Sequence, residues 1–237
     1  MSRLHVFDLD GTLLRGTTAS LEIARRLDRL PELLLLEGEF AAGTLDTRGF
    51  AAAVCRLWAE LTPEVVADAF DAAPWIGGLP EVLADIRRRG EHAVVVTMSP
   101  DFFAGRLTAL GVDEVVASAF PPLPLRGAPD PAGILTPADK VPAVERIRAR
   151  LGLGRGACAA YGDSVSDVPL FRVLEHTVAV NADATLRGLA RHRYDGDDLG
   201  AAYRLARSSL AGGALPGAEP SPPAARGTRT PVREESA

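Results

Sequence analysis

Leu4-His5-Val6-Phe7-Asp8-Leu9-Asp10-Gly11-Thr12 decides the fold: an apolar run that stops abruptly at two carboxylates and a turn. Leu4 to Phe7 reads as a buried strand. Ala93 to Val96, Ala157 to Tyr161 and the weaker Val178 to Val180 repeat the pattern, each bounded by turn residues, with amphipathic helical stretches between them. Continuous apolar strands alternating with helices predict an α/β core built on a mostly parallel, Rossmann-like sheet. In such sheets ligands gather beyond the carboxyl ends of the strands, so the residues after each run carry the functional information.

Between the first two strands lies more chain than one crossover needs. A βαβ unit takes about 30 residues, and the helix expected over Leu79 to Arg89, stopped by Gly90, supplies the crossover. Residues 15–77 are then a helical insertion after the first strand. Within it, Thr18 is a candidate cap for a helix carrying Leu21, Ala24, Leu27 and Leu30. A second helix holds Phe50, Val54, Leu57, Trp58 and Leu61, and Thr62-Pro63-Glu64 is a start signal for a third. The expected organisation is a core of residues 1–14 and 78–210, a cap of residues 15–77 placed as a lid, and a disordered tail from 211 to 237. That tail is rich in Pro, Gly and Ala and lacks apolar periodicity.

Bulk properties narrow the partners. The 237 residues carry a formal charge of -5, which argues against nucleic acid, whose phosphates attract basic faces. Arg87-Arg88-Arg89 reads as the last turn of a helix rather than a binding patch. Cys55 and Cys158 lie far apart among apolar neighbours and read as free core thiols, in keeping with a reducing cytoplasm. No signal-peptide pattern and no apolar run near the roughly 20 residues of a membrane span is present. His5 is read as a satisfied core histidine, and Trp58 and Trp75 as packing residues.

Three groups of residues follow the strands, and a lysine at a helix start joins them. Asp8 and Asp10, two apart on extended chain, present their carboxylates on one face. Such a pair repels itself unless a proton or cation intervenes, and a hard divalent ion such as Mg2+ fits oxygen ligands combined with a substrate phosphate. Thr97-Met98-Ser99-Pro100 ends the second run. Ser99 is read as an N-cap with Pro100 behind it, which leaves the Thr97 hydroxyl and the Met98 N–H to hold a phosphate oxygen. Lys140 follows Asp139, read as an N-cap, and so sits near the positive end of a helix, where a lysine needs an anionic reason. Gly162-Asp163-Ser164-Val165-Ser166-Asp167 adds a second acidic pair, although Asp167 also suits a simple capping role.

These motifs, in this order over roughly residues 4 to 195, resemble those of the haloacid dehalogenase superfamily. The helical insertion and the Gly-Asp-x-x-x-Asp form are most similar to its phosphoserine-phosphatase-like branch. The resemblance implies a nucleophilic Asp8 that forms an aspartyl-phosphate, an acid–base Asp10, and phosphoryl contacts from Thr97, Met98 and Lys140. It also implies Mg2+ held by Asp8, the Asp10 carbonyl and Asp163, supported by Asp167. An acid at Asp10 favours a phosphatase over a dehalogenase. The implied substrate is a small phosphorylated metabolite. A phosphomutase, or a binding protein retaining the fold, are the alternatives. The branch grips its amino-acid substrate with a Glu and a cap Arg; the corresponding positions here are Thr17 and Val54, with Glu22 and Arg56 out of register. That difference puts another small phosphomonoester, such as a sugar phosphate or a biosynthetic intermediate, on equal footing with phosphoserine.

Overall fold

A computed structural model describes residues 2–212. The expectation of a disordered tail therefore falls, almost entirely, outside the described residues. Along the chain run β1 (Leu4–Phe7), α1 (Ala19–Arg26), α2 (Leu30–Ala41), α3 (Thr47–Leu57), α4 (Pro63–Asp71), α5 (Leu79–Arg88), β2 (His92–Pro100), α6 (Asp101–Ala104) and β3 (Glu114–Ser118). After these come α7 (Lys140–Arg150), β4 (Cys158–Gly162), α8 (Val168–Val173), β5 (His176–Val180), α9 (Ala184–Leu189), β6 (His192–Tyr194) and α10 (Leu199–Leu210). The strands form one six-stranded sheet in the order β3-β2-β1-β4-β5-β6, parallel throughout. The α/β core read from the sequence is thus present.

Side chains alternate between the two faces of the sheet, and each face has its own core. Phe7, Val95, Tyr161 and Val178 pack on one side with α5, α10 and the helices of the insertion. Leu4, Val6, Val94 and Ala160 pack on the other with α7, α8 and α9. Because β1 is central, Phe7 lies in register with Val95 of β2 and Tyr161 of β4. Asp8, Thr97 and Asp163 therefore emerge around one end of three adjacent strands.

The insertion is helical, with α1–α4 lying between β1 and α5. Thr18 caps α1 by accepting the Leu21 N–H, and Thr62 caps α4 ahead of Pro63. The first expected helix is split, however. Asp28 adopts φ 53° and α2 begins at Leu30, a break that releases Leu30 from the α1 stripe. The chains leading into and out of the insertion run side by side. Ile76 donates its N–H to the Leu13 carbonyl, and Arg15 donates to the Pro74 carbonyl, both at 2.9 Å.

The histidine, tryptophan and cysteine readings hold. His5 is fully buried between the Tyr161 hydroxyl at 2.9 Å and Glu91 at 3.1 Å. Trp58 is fully buried, Trp75 is half-buried against the same core, and both cysteines are buried and free. Among the described residues, no helix is long and apolar enough to cross a membrane.

Candidate active site

The site starts from β1. Phe7 ends the strand, Asp8 follows with its N–H held by the Tyr161 carbonyl at 2.9 Å, and the chain turns at Gly11 with φ 74°. Gly11 is needed twice over: a Cβ there would lie 2.0 Å from Asp163 Oδ2, and L residues rarely adopt this backbone. Gly162 does the same for Asp167, whose carboxylate carbon would lie 2.4 Å from a Cβ. The two glycines let the carboxylates from β1 and β4 converge.

Lys140 enters from the first residue of α7 and is 1% exposed. Its Nζ donates to Asp8 Oδ1 and to Asp167 Oδ1, each at 2.6 Å, and to Ser166 Oγ at 3.3 Å. Asp167 also accepts the Asp163 N–H at 3.1 Å through its other oxygen and forms a capping box with Ser164. Its capping role and its place in the cluster coexist. Asp139 differs from expectation: it closes a capping box with Thr136 around a short 3-10 turn and does not cap α7.

Ser99 also requires correction. β2 runs through it to Pro100, and its hydroxyl caps nothing. Instead it donates to Asp10 Oδ2 at 2.5 Å, while the Ala19 N–H donates to Asp10 Oδ1 at 2.7 Å. Both Asp10 oxygens are thereby anchored, one from β2 and one from the first residue of α1. Thr97 is buried, accepts the Ser99 N–H at 3.1 Å and lines the same cavity as Met98.

Carboxylate oxygens of Asp8, Asp163 and Asp167 lie within 4.8 Å of one another. One ammonium is too little positive charge for this group. Burial, then the Asp167 charge, push the Asp8 carboxyl well above its usual range despite Lys140. Burial likewise raises Asp10, and burial with the Asp167 charge pushes Asp163 up to about 7. Asp163 Oδ1 is buried and has no hydrogen-bond donor among the described residues. A divalent cation answers both the repulsion and the orphaned oxygen, so this donor set fits a hard metal ion. The Asp10 carboxylate, committed to Ser99 and Ala19, lies outside the three-residue cluster.

Above these groups opens a cavity of about 760 Å³. Its floor includes Asp8, Asp10, Thr97 and Asp163; its far side is formed by α1, α2 and α3. Thr17 and Val54 both line it, at the positions where an amino-acid clamp is expected. Glu22 does not line it: its Oε1 accepts the Thr17 hydroxyl at 2.6 Å and pairs with Arg25. Sequence reading overlooked the Ser99–Asp10 bond and the contributions of Glu37 and Phe40 to the wall. Only the Asp10 spacing hinted at the first, and nothing local marks the second.

Residues 5–172 match the family model for haloacid dehalogenase-like hydrolases, and the chain belongs to that family. Phosphoserine phosphatase SerB1 of Mycobacterium tuberculosis is 42% identical over 90 residues, 36% of this chain. The chain spans less than a third of the length of the curated relatives it matches, 29% in that case. Two solved phosphoserine phosphatase structures share the fold. A phospho-aspartyl intermediate analogue aligns with TM-score 0.71 and 23% identity, and a substrate-bound complex with 0.72 and 22%; each alignment covers 86% of this chain and 98% of the other.

Proposed function

We propose that the protein is a Mg2+-dependent phosphatase that hydrolyses a small phosphomonoester through an aspartyl-phosphate at Asp8. The observation that carries the reading is the Asp8 carboxylate at the floor of the cavity, gripped by Lys140 at 2.6 Å, beside an Asp10 with both oxygens tethered. The family and the phosphoserine phosphatase relatives support it.

In this mechanism Asp8 attacks phosphorus and the ester P–O bond breaks. Asp10, whose buried carboxyl is raised and so holds a proton readily, passes that proton to the departing alkoxide. Water then attacks the acyl phosphate, Asp10 takes its proton, and inorganic phosphate leaves with Asp8 regenerated. Lys140 and Thr97, with the Met98 N–H, hold the non-bridging oxygens and offset their charge. Mg2+, held by Asp8, the Asp10 carbonyl and Asp163 with Asp167 in support, would neutralise the phosphoryl group and keep Asp8 ionised. Residues 15–77 act as a cap over a core of residues 1–14 and 78–210.

Thr17 and Val54 offer neither a carboxylate nor a guanidinium at the clamp positions, which favours a substrate other than phosphoserine. The test of the mechanism is Asp8→Asn. It is expected to abolish release of p-nitrophenol from p-nitrophenyl phosphate in Mg2+ while the circular dichroism spectrum stays unchanged. Turnover by this variant would sink the nucleophile assignment.

A further inference from the structure

Facing the carboxylates, the cavity changes character. Phe40 of α2 and Phe50 of α3 line it with ring centroids 5.4 Å apart and planes tilted by 46°. Glu37, three residues before Phe40 on α2, lines the same wall half-buried. Among the described residues, no Lys, Arg or His lines this wall; Lys140 lies beneath the floor, bonded to Asp8. Such a wall offers a cation a carboxylate beside two aromatic rings, with apolar surface for the carbons next to it. The same charge opposes a substrate bearing a second anionic group.

Resting on the phosphatase reading above, we propose that the leaving alcohol carries an ammonium group: the substrate is the monophosphate of an amino alcohol, its nitrogen held by Glu37 and the Phe40/Phe50 pair. The phosphate sits over Asp8 and the carbon chain spans the cavity between them. Burial, then the nearby Asp10 charge, push the Glu37 carboxyl up while the Arg25 charge opposes them, and an ammonium in the cavity adds to that opposing effect. A phosphorylated α-amino acid brings a carboxylate that this wall does not accommodate.

The experiment compares phosphate release by the full chain in Mg2+ from n-alkyl phosphates and ω-aminoalkyl phosphates of two to six carbons. O-phosphoserine and p-nitrophenyl phosphate run alongside. A hydrogen-bonded charge pair predicts a kcat/KM at least about tenfold higher for the amino ester than for the alkyl ester of equal length. Ethanolamine phosphate should also exceed O-phosphoserine. Glu37→Gln is expected to bring the amino-to-alkyl ratio close to one through KM, and Glu37→Asp to recover part of it. Should Glu37→Gln fail to fold, Phe50→Leu keeps the apolar volume, removes a ring face and lowers the same ratio. A wild-type ratio of one or below, or a ratio untouched in these variants, overturns the proposal while p-nitrophenyl phosphate turnover leaves the phosphatase reading standing. Absence of turnover of every ester, the aryl phosphate included, overturns both.

Discussion

At the scale of single residues, Lys140 carries the largest electrostatic burden. It is the counter-ion for Asp8 and Asp167, all three being almost entirely buried. Removing one partner of a buried pair strands the others, at a cost of about 3–5 kcal/mol. Lys140→Ala should therefore lower stability by roughly that amount in EDTA, read from urea unfolding, and Mg2+ should restore more stability to the variant than to the wild type. Equal magnesium effects on both proteins would contradict a metal among these carboxylates. Ser99 acts at finer scale: its hydroxyl and the Ala19 N–H fix Asp10. Ser99→Ala is expected to reduce kcat by about tenfold, with KM nearly unchanged, as general acid–base contributions of 10²–10⁴ are partly lost when the group is misaligned. A wild-type kcat would show that Ala19 alone suffices.

Between elements, a buried network ties β1, the start of β2 and α10 together. His5 lies between Tyr161 and Glu91, and Arg207 donates to Glu91 at 2.6 Å. Burial would raise the Glu91 carboxyl, but hydrogen bonds from His5 and Arg207 override it and hold it at about 2, against an ordinary 4.5. Burial lowers His5 below its ordinary 6.5, so it stays neutral, donating from Nε2 to Glu91 and accepting the Tyr161 proton at Nδ1. Both shifts have the same sign. Stability is full above the unfolded values and declines as pH falls, first below about 6.5 through His5, then between about 4.5 and 2 through Glu91. Urea midpoints at pH 7, 5 and 3.5 should fall steadily for the wild type. Glu91→Gln should start lower at pH 7 and lose less between pH 5 and 3.5. A parallel decline would remove Glu91 from the account.

The elements also show how far local sequence carries. Asp8 and Asp163 were legible because a polar residue directly after a buried parallel strand lies at the ligand edge whatever the rest of the fold does, and Lys140 because a cation at a helix start calls for an anionic partner. Two edge strands were not. Glu114–Ser118 is half-exposed along four of its five residues, and His192–Tyr194 is only three residues long, so neither shows a continuous apolar run. Ser99 was misread because Ser-Pro-Asp is good local capping chemistry, yet pairing with β3 carries β2 through Pro100, whose missing N–H is tolerated at a strand end. Glu37, Phe40 and Phe50 meet across two helices of the insertion, a proximity that no spacing within one helix announces.

For the molecule as a whole, the insertion forms the far side of the cavity, opposite the carboxylates at the sheet edge. Trp75 sits where the insertion ends, its ring 4.7 Å from Phe70 of α4 and 6.3 Å from Phe103 of α6. If the insertion closes over a bound phosphoryl group, this contact shifts. In a Trp58→Phe background, Mg2+ with orthovanadate should change the Trp75 emission maximum, and Asp8→Asn should abolish the change; a spectrum indifferent to vanadate would mean that the wall is static.

The paired backbone bonds of Leu13 with Ile76 and of Arg15 with Pro74 have a further consequence. They bring the two ends of a long excursion to one doorway on the sheet. Whatever is written between Gly16 and Ala73 can lengthen, shorten or change its chemistry without altering the distance the frame must bridge. The doorway divides the polypeptide into a carboxylate-bearing edge, whose Gly11 and Gly162 leave no room for a Cβ, and a helical wall hung from it.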